Sequence, residues 1–354
     1  MNRDPIQRKL AEFLTPQGVF RAVGGAGEIW VGTNLGSVRK DNQDRVLAIQ
    51  VRYANRPRDN FTLCVLADGI GGLSNGAEAA ALAASTFASS AIRLVALPIE
   101  RRLWSSAQEA NVAVYEAFGG RSGATLSGVF VGESGAFGVN IGDSRIYGVT
   151  SERSVRQLSV DDTFQNYAKN AVGLAEQRNA LIQFVGMGEG VEPHIIAGDT
   201  YRYSYFLLTS DGVHGVGDSL FGKIVSSAAT PQDVIRRLVT LNDISGGTDN
   251  GSAAIVSNRQ DREPGTDGTT IRAISPIDRL EIWIPVVVPQ PDRREPSLHQ
   301  IDHAREPQVK AKRKARILPR PKKTKTADAT SPKLPLDGDD DKPEVKISFP
   351  DKGD

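Results

Sequence analysis

Aspartate residues stand beside glycine or asparagine at five places in the chain. Asp68, Asp143 and Asp211 each follow an apolar run that reads as a strand, and Asp249 precedes another. Divalent cations such as Mg²⁺ and Mn²⁺ bind carboxylate, carbonyl and water oxygens, and neighbouring strand ends can bring several carboxylates to one point. Clustered carboxylates repel one another unless a cation lies among them. The sequence therefore predicts a divalent-cation site built from residues 39–44, 67–72, 141–145, 209–212 and 247–250.

Short apolar runs bounded by glycine or turn residues predict the strands that position these aspartates. They cover residues 45–51, 61–67, 126–131, 136–141, 144–149, 205–209 and 253–256. Several are joined by tight turns, which is typical of antiparallel hairpins. Helical patterns are grouped separately and cover residues 76–97, 100–118, 217–228 and 231–241. Strands and helices in separate runs indicate an α+β domain built in layers.

In order and wording, the five segments resemble signatures of the metal-dependent (PPM, type 2C) protein phosphatases, bacterial branch. The signatures are an arginine followed by Asn-Gln/Glu-Asp, then Asp-Gly-x-Gly-Gly, Gly-x-Thr, Gly-Asp-Ser-Arg, Ser-Asp-Gly and Asp-Asn. Gly123-Ala-Thr125 supplies the Gly-x-Thr element. The resemblance covers residues 28–258 and implies a four-layer αββα sandwich, with two antiparallel sheets flanked by helices. It also implies a serine/threonine phosphoprotein phosphatase that hydrolyses phosphate monoesters with a water activated by two Mn²⁺ or Mg²⁺ ions.

The resemblance also implies roles for single residues. Asp68 bridges both metal ions, and the carbonyl oxygen of Gly69 completes the second metal site. Asp211 and Asp249 bind the first ion. Asp44 orients the attacking water.

Two more residues receive roles from the resemblance. It implies that Arg39 binds the substrate phosphate through its planar fork of donors, and that Asp143 belongs to a third, weaker metal site. Plainer alternatives remain open. Arg39 can form a surface ion pair, Asp143 can fix a turn, and Asp44 can pair with Arg45. Asn250 reads as a structural turn residue rather than a ligand.

Some positions depart from the family pattern. Ile70 stands where eukaryotic relatives carry a histidine that protonates the leaving oxygen, so water must supply that proton here. Asp162 replaces the histidine of the usual Thr-x-Asp-His segment, and the flap region at residues 164–189 is unusual. None of these changes removes a metal ligand. His194 and His214 read as structural histidines.

Composition limits the class of protein. The chain has 354 residues, 39 % of them hydrophobic and 24 % charged, with a net charge of +1, which gives no whole-chain argument for nucleic acid. The single cysteine, Cys64, lies in an apolar run and reads as core. No apolar run is long enough to span a bilayer, and the first residues lack a secretory signal. A cytoplasmic protein without membrane contact is the expectation.

The expected organisation is an N-terminal extension (1–27), a phosphatase domain (28–258), a linker with an edge strand near 280–288 (259–288), and a disordered charged tail (289–354). Nine Lys or Arg residues lie between Lys310 and Lys325. They suit a solvated tail, with docking to acidic surfaces as the alternative. The expected partners are phosphorylated proteins, the substrates of a Ser/Thr kinase. A catalytically weak phosphoprotein-binding or adaptor module on the same fold is the alternative function.

Overall fold

The structure is a computed structural model that describes residues 4–15, 21–70, 75–167, 180–259 and 268–285. Thirteen strands lie within these residues and form two antiparallel sheets. The strands are β1 (Arg21–Ala26), β2 (Ile29–Asn34), β3 (Arg45–Tyr53), β4 (Phe61–Ala67), β5 (Leu126–Gly132), β6 (Gly135–Ile141), β7 (Arg145–Val149), β8 (Val155–Gln157), β9 (His194–Ile196), β10 (Tyr205–Thr209), β11 (Gly251–Ser257), β12 (Gly268–Ile274) and β13 (Arg279–Pro285).

The six-stranded sheet has the order β1-β2-β11-β10-β7-β8, and the seven-stranded sheet has the order β13-β12-β3-β4-β5-β6-β9. The helices are α1 (Pro5–Phe13), α2 (Gly76–Arg93), α3 (Ile99–Phe118), α4 (Phe164–Tyr167), α5 (Asp211–His214), α6 (Asp218–Ser227) and α7 (Pro231–Ile244). The helix α7 begins as its sequence predicts, because the Thr230 hydroxyl caps the Asp233 N–H at 3.1 Å and Pro231 occupies the first turn.

Side-chain alternation along the strands separates the core into layers. On β3, Leu47 and Ile49 join the cluster beneath α1, α2 and α3, whereas Val46 and Ala48 face the other sheet. A third cluster lies between the six-stranded sheet and helices α5, α6 and α7. The layers are helix, sheet, sheet, helix, which confirms the expected four-layer αββα sandwich. Cys64 is fully buried between the sheets.

Both sheets extend past the predicted domain limits of 28 and 258, so those limits are too narrow. Strand β1 pairs with β2, while β12 pairs with β3 along residues 48–53 and carries β13 at the sheet edge. The turn-rich residues 259–268 suggested that the domain had ended, but the chain returns to the sheet after them. The C-terminal tail lies outside the described residues, as do residues 168–179 of the predicted flap. Within the described ranges, no helix has the length and apolar character to cross a bilayer.

Candidate metal centre and phosphate site

The predicted acidic residues lie at one end of the sandwich. In the seven-stranded sheet Arg45 is opposite Ala67, so Asp44 and Asp68 flank the same end of β3 and β4. In the six-stranded sheet Thr209, the last residue of β10, is opposite both Arg145 and Ala253. Asp143, Asp211 and Asp249 therefore lie where β7, β10 and β11 meet that same end. The two sheets present these carboxylates toward each other.

Asp44 is held by a short chain of hydrogen bonds from the opposite sheet. The Ser210 hydroxyl donates to Asp44 Oδ2 at 2.8 Å, and the backbone N–H of Ser252 donates to Ser210 Oγ at 2.9 Å. Asp44 is 4 % exposed, and its other oxygen, Oδ1, has no hydrogen-bond donor among the described residues. A buried carboxylate oxygen without a donor is costly, so this atom is available to a water or a cation.

Asp68 and Gly69 leave the end of β4 in a fixed backbone path. Thr125 holds that path, because its Oγ1 accepts the Asp68 N–H at 3.0 Å and its own N–H donates to the Asp68 carbonyl oxygen at 2.8 Å. A Cβ on Gly69 would lie 2.4 Å from the carbonyl oxygen of Gly76, at the start of α2. Only glycine permits this close approach.

Arg39 lies at the rim of the acidic group. Its Nη2 donates to Asp249 Oδ2 at 2.6 Å, and each side chain keeps about a third of its surface exposed (38 % and 35 %). The hydrogen bond to Asp249, together with the charges of Asp249, Asp211 and Asp68, raises the pKa of Arg39. Arg39 is therefore a cation within reach of three of the predicted acidic residues.

The carboxylates are crowded together, from buried Asp44 through half-buried Asp68 and Asp143 to exposed Asp211, and desolvation and mutual repulsion raise their pKa values. Burial, followed by the charges of Asp143, Asp249 and Asp44, raises the pKa of Asp211 to about 7. Burial and the charges of Asp44, Asp211 and Asp143 raise the pKa of Asp68 well above its ordinary value. Burial also raises the pKa of Asp44, despite the Ser210 hydrogen bond, and raises that of Asp143 to about 6. Mutual repulsion among buried acids is relieved by a cation.

The donor set suits Mg²⁺ or Mn²⁺, because it consists of carboxylates, a backbone carbonyl oxygen and room for water. No three Asp, Glu, His or Cys side chains of the described ranges already stand in a metal-ligand arrangement. Asp249 is bonded to Arg39, and Asp44 to Ser210. Asp44 Oδ1 has no donor among the described residues, and desolvation raises the pKa values of Asp44, Asp68 and Asp211.

Asn250 is the residue of the site whose importance sequence reasoning missed. Its Oδ1 accepts the backbone N–H of Gln43 at 2.8 Å, and its Nδ2 donates to the carbonyl oxygens of Leu35 and Asp41 at 2.8 and 3.2 Å. The side chain thereby fixes the segment that carries Arg39 and Asp44 against the start of β11. Its position beside Asp249 in the sequence pointed to a role in the site, although a residue that only forms a turn could occupy the same position.

A second acidic group, Asp161 and Asp162, lies beyond Asp143 and is fully paired. Arg145 Nε and Nη2 both donate to Asp161, at 2.9 and 2.7 Å to its Oδ2. Asp162, where the family pattern has histidine, contacts His194 Nε2 at 2.7 Å and accepts the Gly142 N–H at 2.8 Å. His194 is therefore structural, as predicted.

His214 also has a structural contact. Its Nδ1 lies 2.9 Å from Thr209 Oγ1, and burial lowers its pKa to about 3.

Comparison with known proteins assigns this chain to a family. The model of the protein phosphatase 2C family matches residues 37–243. A Streptococcus pyogenes protein named as a 2C-type protein phosphatase is 26 % identical over 250 residues, which are 66 % of this chain and 98 % of that protein.

Solved structures agree in fold. The PPM Ser-Thr phosphatase MsPP of Mycobacterium smegmatis, solved with cacodylate, has 27 % identity and a TM-score of 0.54, covering 67 % of this chain and all of that one. The catalytic domain of the serine/threonine phosphatase PstP, solved with two manganese ions, has 24 % identity and a TM-score of 0.52, covering 67 % and 98 %. By its family match and by the fold it shares with these enzymes, the chain belongs to the protein phosphatase 2C family.

Proposed function

We propose that the chain performs the reaction of its family, metal-dependent hydrolysis of phosphoserine and phosphothreonine in proteins, at the acidic end of the sandwich. The observation that carries this proposal is the group of crowded carboxylates of Asp44, Asp68 and Asp211, of which Asp44 is buried, Asp68 half-buried and Asp211 exposed, with Arg39 at its rim. The Arg145–Asp161 pair is equally close to the sheet ends but has its own protein partners, so it does not need a cation.

Bound Mn²⁺ or Mg²⁺ supplies the charge that acidifies a water and stabilises the phosphoryl oxygens. In this proposal Asp68, Asp211 and Asp249 would hold two ions together with the carbonyl oxygen of Gly69. Asp143 would serve a third, weaker site. The manganese ions of PstP support the choice of metal.

The other residues bind and orient. Asp44 keeps Oδ2 on Ser210, so its unpartnered Oδ1 would accept a hydrogen bond from the attacking water and orient it. Arg39 has one guanidinium nitrogen on Asp249, and its remaining N–H groups are available to two oxygens of a phosphate. Ile70 offers no proton, so the leaving alkoxide takes its proton from water.

The proposed partners are phosphoproteins modified by a Ser/Thr kinase, with the basic residues 310–325 as a weak contact for acidic surfaces. The binding-module alternative predicts that at least one ligand position has lost its acid. Every predicted ligand position keeps its residue, so nothing among the described residues favours that alternative.

The test is hydrolysis of an aryl phosphate and of a phosphothreonine peptide by the full chain, with Mn²⁺, with Mg²⁺, and with excess chelator. We expect turnover with either ion and none in chelator, with recovery on adding metal back. Undiminished turnover in chelator would exclude the metal mechanism. Binding of the phosphopeptide without turnover would favour the binding module.

A further inference from the structure

The inner faces of the two sheets change from apolar to polar at the catalytic end. Alternate residues of each strand face the other sheet, and in the middle of the sandwich they are apolar, such as Val31 on β2 and Ala254 on β11. At the catalytic end the same rows end in polar side chains. These are Thr33 on β2, Ser252 on β11, Ser210 after β10 and Asp44 before β3.

These four residues form a closed ring of hydrogen bonds with Asn42. Asn42 Oδ1 accepts the backbone N–H of Asp44 at 3.0 Å, and Asn42 Nδ2 donates to Thr33 Oγ1 at 2.8 Å. Thr33 Oγ1 lies 2.8 Å from Oγ of Ser252, the residue directly opposite on β11. The backbone N–H of Ser252 donates to Ser210 Oγ at 2.9 Å, and the Ser210 hydroxyl donates to Asp44 Oδ2 at 2.8 Å. The ring therefore starts and ends at Asp44.

The ring holds Asp44 at two points. Because Asn42 Oδ1 accepts the Asp44 N–H, its Nδ2 is the atom at Thr33, and an amide nitrogen can only donate. Because Ser210 Oγ accepts the Ser252 N–H, the Ser210 hydrogen is left for Asp44 Oδ2. One arm of the ring thus fixes the backbone of Asp44 and the other fixes Oδ2. Oδ1 is left without a donor among the described residues.

Thr33 is the residue at which the two arms meet. It accepts from Asn42 in one arm and contacts Ser252 in the other. It lies outside the five acidic segments and before residue 37, where the family match begins, so neither gave it a role. A polar ring between two sheets must satisfy each of its members, because a buried group without a partner is costly. Loss of the Thr33 hydroxyl would therefore disturb both arms.

We propose that Thr33 is a positioning residue for the hydrolysis: by joining the two arms it holds Asp44 in the orientation that presents Oδ1 to the attacking water. This inference rests on the proposed function, because it needs Asp44 to orient that water. Thr33 acts through Asn42 and Ser252 and is not itself a catalytic residue.

The first test is steady-state hydrolysis of an aryl phosphate by the full chain over a Mn²⁺ titration. Thr33→Val keeps the size of the side chain and removes the hydroxyl, whereas Thr33→Ser keeps the hydroxyl. Thr33→Val should lower kcat about tenfold, with less than about a twofold change in KM and in the half-maximal metal concentration. Thr33→Ser should restore kcat to within about twofold of the natural chain. An unchanged kcat in Thr33→Val overturns the proposal.

A double variant shows whether the effect passes through Asp44. Asp44→Asn should itself lower kcat. Adding Thr33→Val to it should cost less than about a further twofold, because two changes that act through one carboxylate are not additive. A second loss of about tenfold would mean that Thr33 acts independently of Asp44, and would overturn the proposal.

Thr200→Val is the matched control. Thr200 is 8 % exposed, and its hydroxyl donates to the Ala136 carbonyl oxygen at 2.9 Å. Ala136 lies near the start of β6, at the end of the sandwich opposite the metal centre. This variant removes a buried hydroxyl in the same way, so its kcat should stay within about twofold of the natural chain. Equal losses of kcat in the two Thr→Val variants would show a general effect and would overturn the proposal.

The second test does not depend on turnover. It follows the ¹³C signal of the Asp44 carboxylate by NMR in Mg²⁺, in protein labelled at aspartate, with Asp44→Asn as the assignment. The signal should move in Thr33→Val and stay in place in Thr33→Ser and Thr200→Val. If Thr33→Val fails to fold, Ser252→Ala removes the same Thr33–Ser252 contact and replaces it in both tests.

The two tests separate the two ways to fail. An Asp44 signal that does not move overturns the positioning role, even where kcat falls. A natural chain without turnover in either Mn²⁺ or Mg²⁺ overturns the proposed function, and the role of Thr33 in hydrolysis with it, whatever the Asp44 signal does.

Discussion

Two groups of buried acids lie near the same end of this molecule, and they differ in what surrounds them. Asp161 and Asp162 have an arginine, a histidine, a glutamine and a backbone N–H as partners. In the described structure the carboxylates of Asp44 and Asp68 together accept one side-chain hydrogen bond, from the Ser210 hydroxyl to Asp44. Burial raises the pKa values of both acids. Burial of an acid is thus not itself the mark of a catalytic site. The mark is burial that the protein's own donors do not compensate.

The largest expected effect comes from removing a carboxylate of the unpaired group. Asp68→Asn, Asp211→Asn and Asp249→Asn should each reduce metal-dependent hydrolysis by about two orders of magnitude or more, because each removes an anion that would hold the cations. Asp218→Asn is the matched control, since its side chain is 94 % exposed on α6. Near-normal turnover in Asp68→Asn, measured across a metal titration, would contradict the ligand assignment.

The unpaired group should also make the metal-free protein sensitive to pH. Asp211 has an ordinary pKa of 3.8 and a folded pKa of about 7, so the folded state holds its proton longer than the unfolded state does. The contribution of Asp211 to stability in chelator should therefore be largest near pH 4 and fall as the pH rises to about 7; because its side chain is exposed, solvent screening keeps that slope well below the full ~1.4 kcal/mol per pH unit.

Thermal or urea unfolding in chelator measures that slope. Asp211→Asn should give a flatter curve over the same pH range, because asparagine does not titrate. Groups common to both proteins, such as His214, cancel in the difference. Parallel curves for the two proteins would show that Asp211 is not held protonated.

Removing a carboxylate of the paired group, Asp161 and Asp162, should lower stability and leave the metal dependence of activity unchanged. Asp162→Asn breaks the contact with His194 and weakens those with Gly142 and Gln183, so it should lower the free energy of unfolding by about 1–3 kcal/mol. The metal concentration for half-maximal activity should stay unchanged. A large shift in that concentration would place Asp162 in the metal centre and remove the distinction between the two groups.

Arg39 borders the unpaired group without being one of its ligands. Arg39→Ala should raise KM about tenfold with a smaller change in kcat, because the contact with phosphate is present in both the ground and transition states. Arg39→Lys keeps the positive charge but loses the planar fork of donors, so its KM should lie between those of the natural chain and Arg39→Ala. Steady-state kinetics on a phosphopeptide measure both constants. Unchanged KM in Arg39→Ala would assign Arg39 to the ion pair with Asp249 alone.

The strands and the acidic segments at their ends could be predicted because both signals are local in sequence. Apolar runs end in Asp-Gly at Asp68 and Asp211, Asp249 with Asn250 precedes another run, and strand pairing brings those ends together. The roles of these residues in catalysis stay predictions. The family and the fold are confirmed.

Pairings between distant positions could not be read from the sequence. The contact of Asp162 with His194 joins residues 32 apart, and that of Asn250 with Gln43 joins residues 207 apart. That β1 and β12 belong to the sheets was missed for the same reason. Strand pairing depends on distant partner strands, which the local composition of a segment does not identify.

The smallest expected effect comes from removing the C-terminal tail, residues 289–354. Deleting residues 289–354 should leave hydrolysis of a small aryl phosphate nearly unchanged, because no catalytic residue is predicted there and the strands β12 and β13 are kept. Dephosphorylation of a protein partner should weaken at low salt, since nine clustered cations attract acidic surfaces within a Debye length of ~10 Å.

A second deletion, of residues 268–354, is the informative contrast. It removes β12, which pairs with β3, and would expose the buried Ile271 cluster beside Ile49 and Val51. We expect that protein to unfold or aggregate, because β3 loses its neighbour in the sheet. Asp44, which directly precedes β3, would be displaced with it. Both proteins are compared on both substrates across a salt series, with circular dichroism as the test of folding. A large loss of aryl phosphate turnover in the folded 289–354 deletion would mean that the tail packs against the catalytic end.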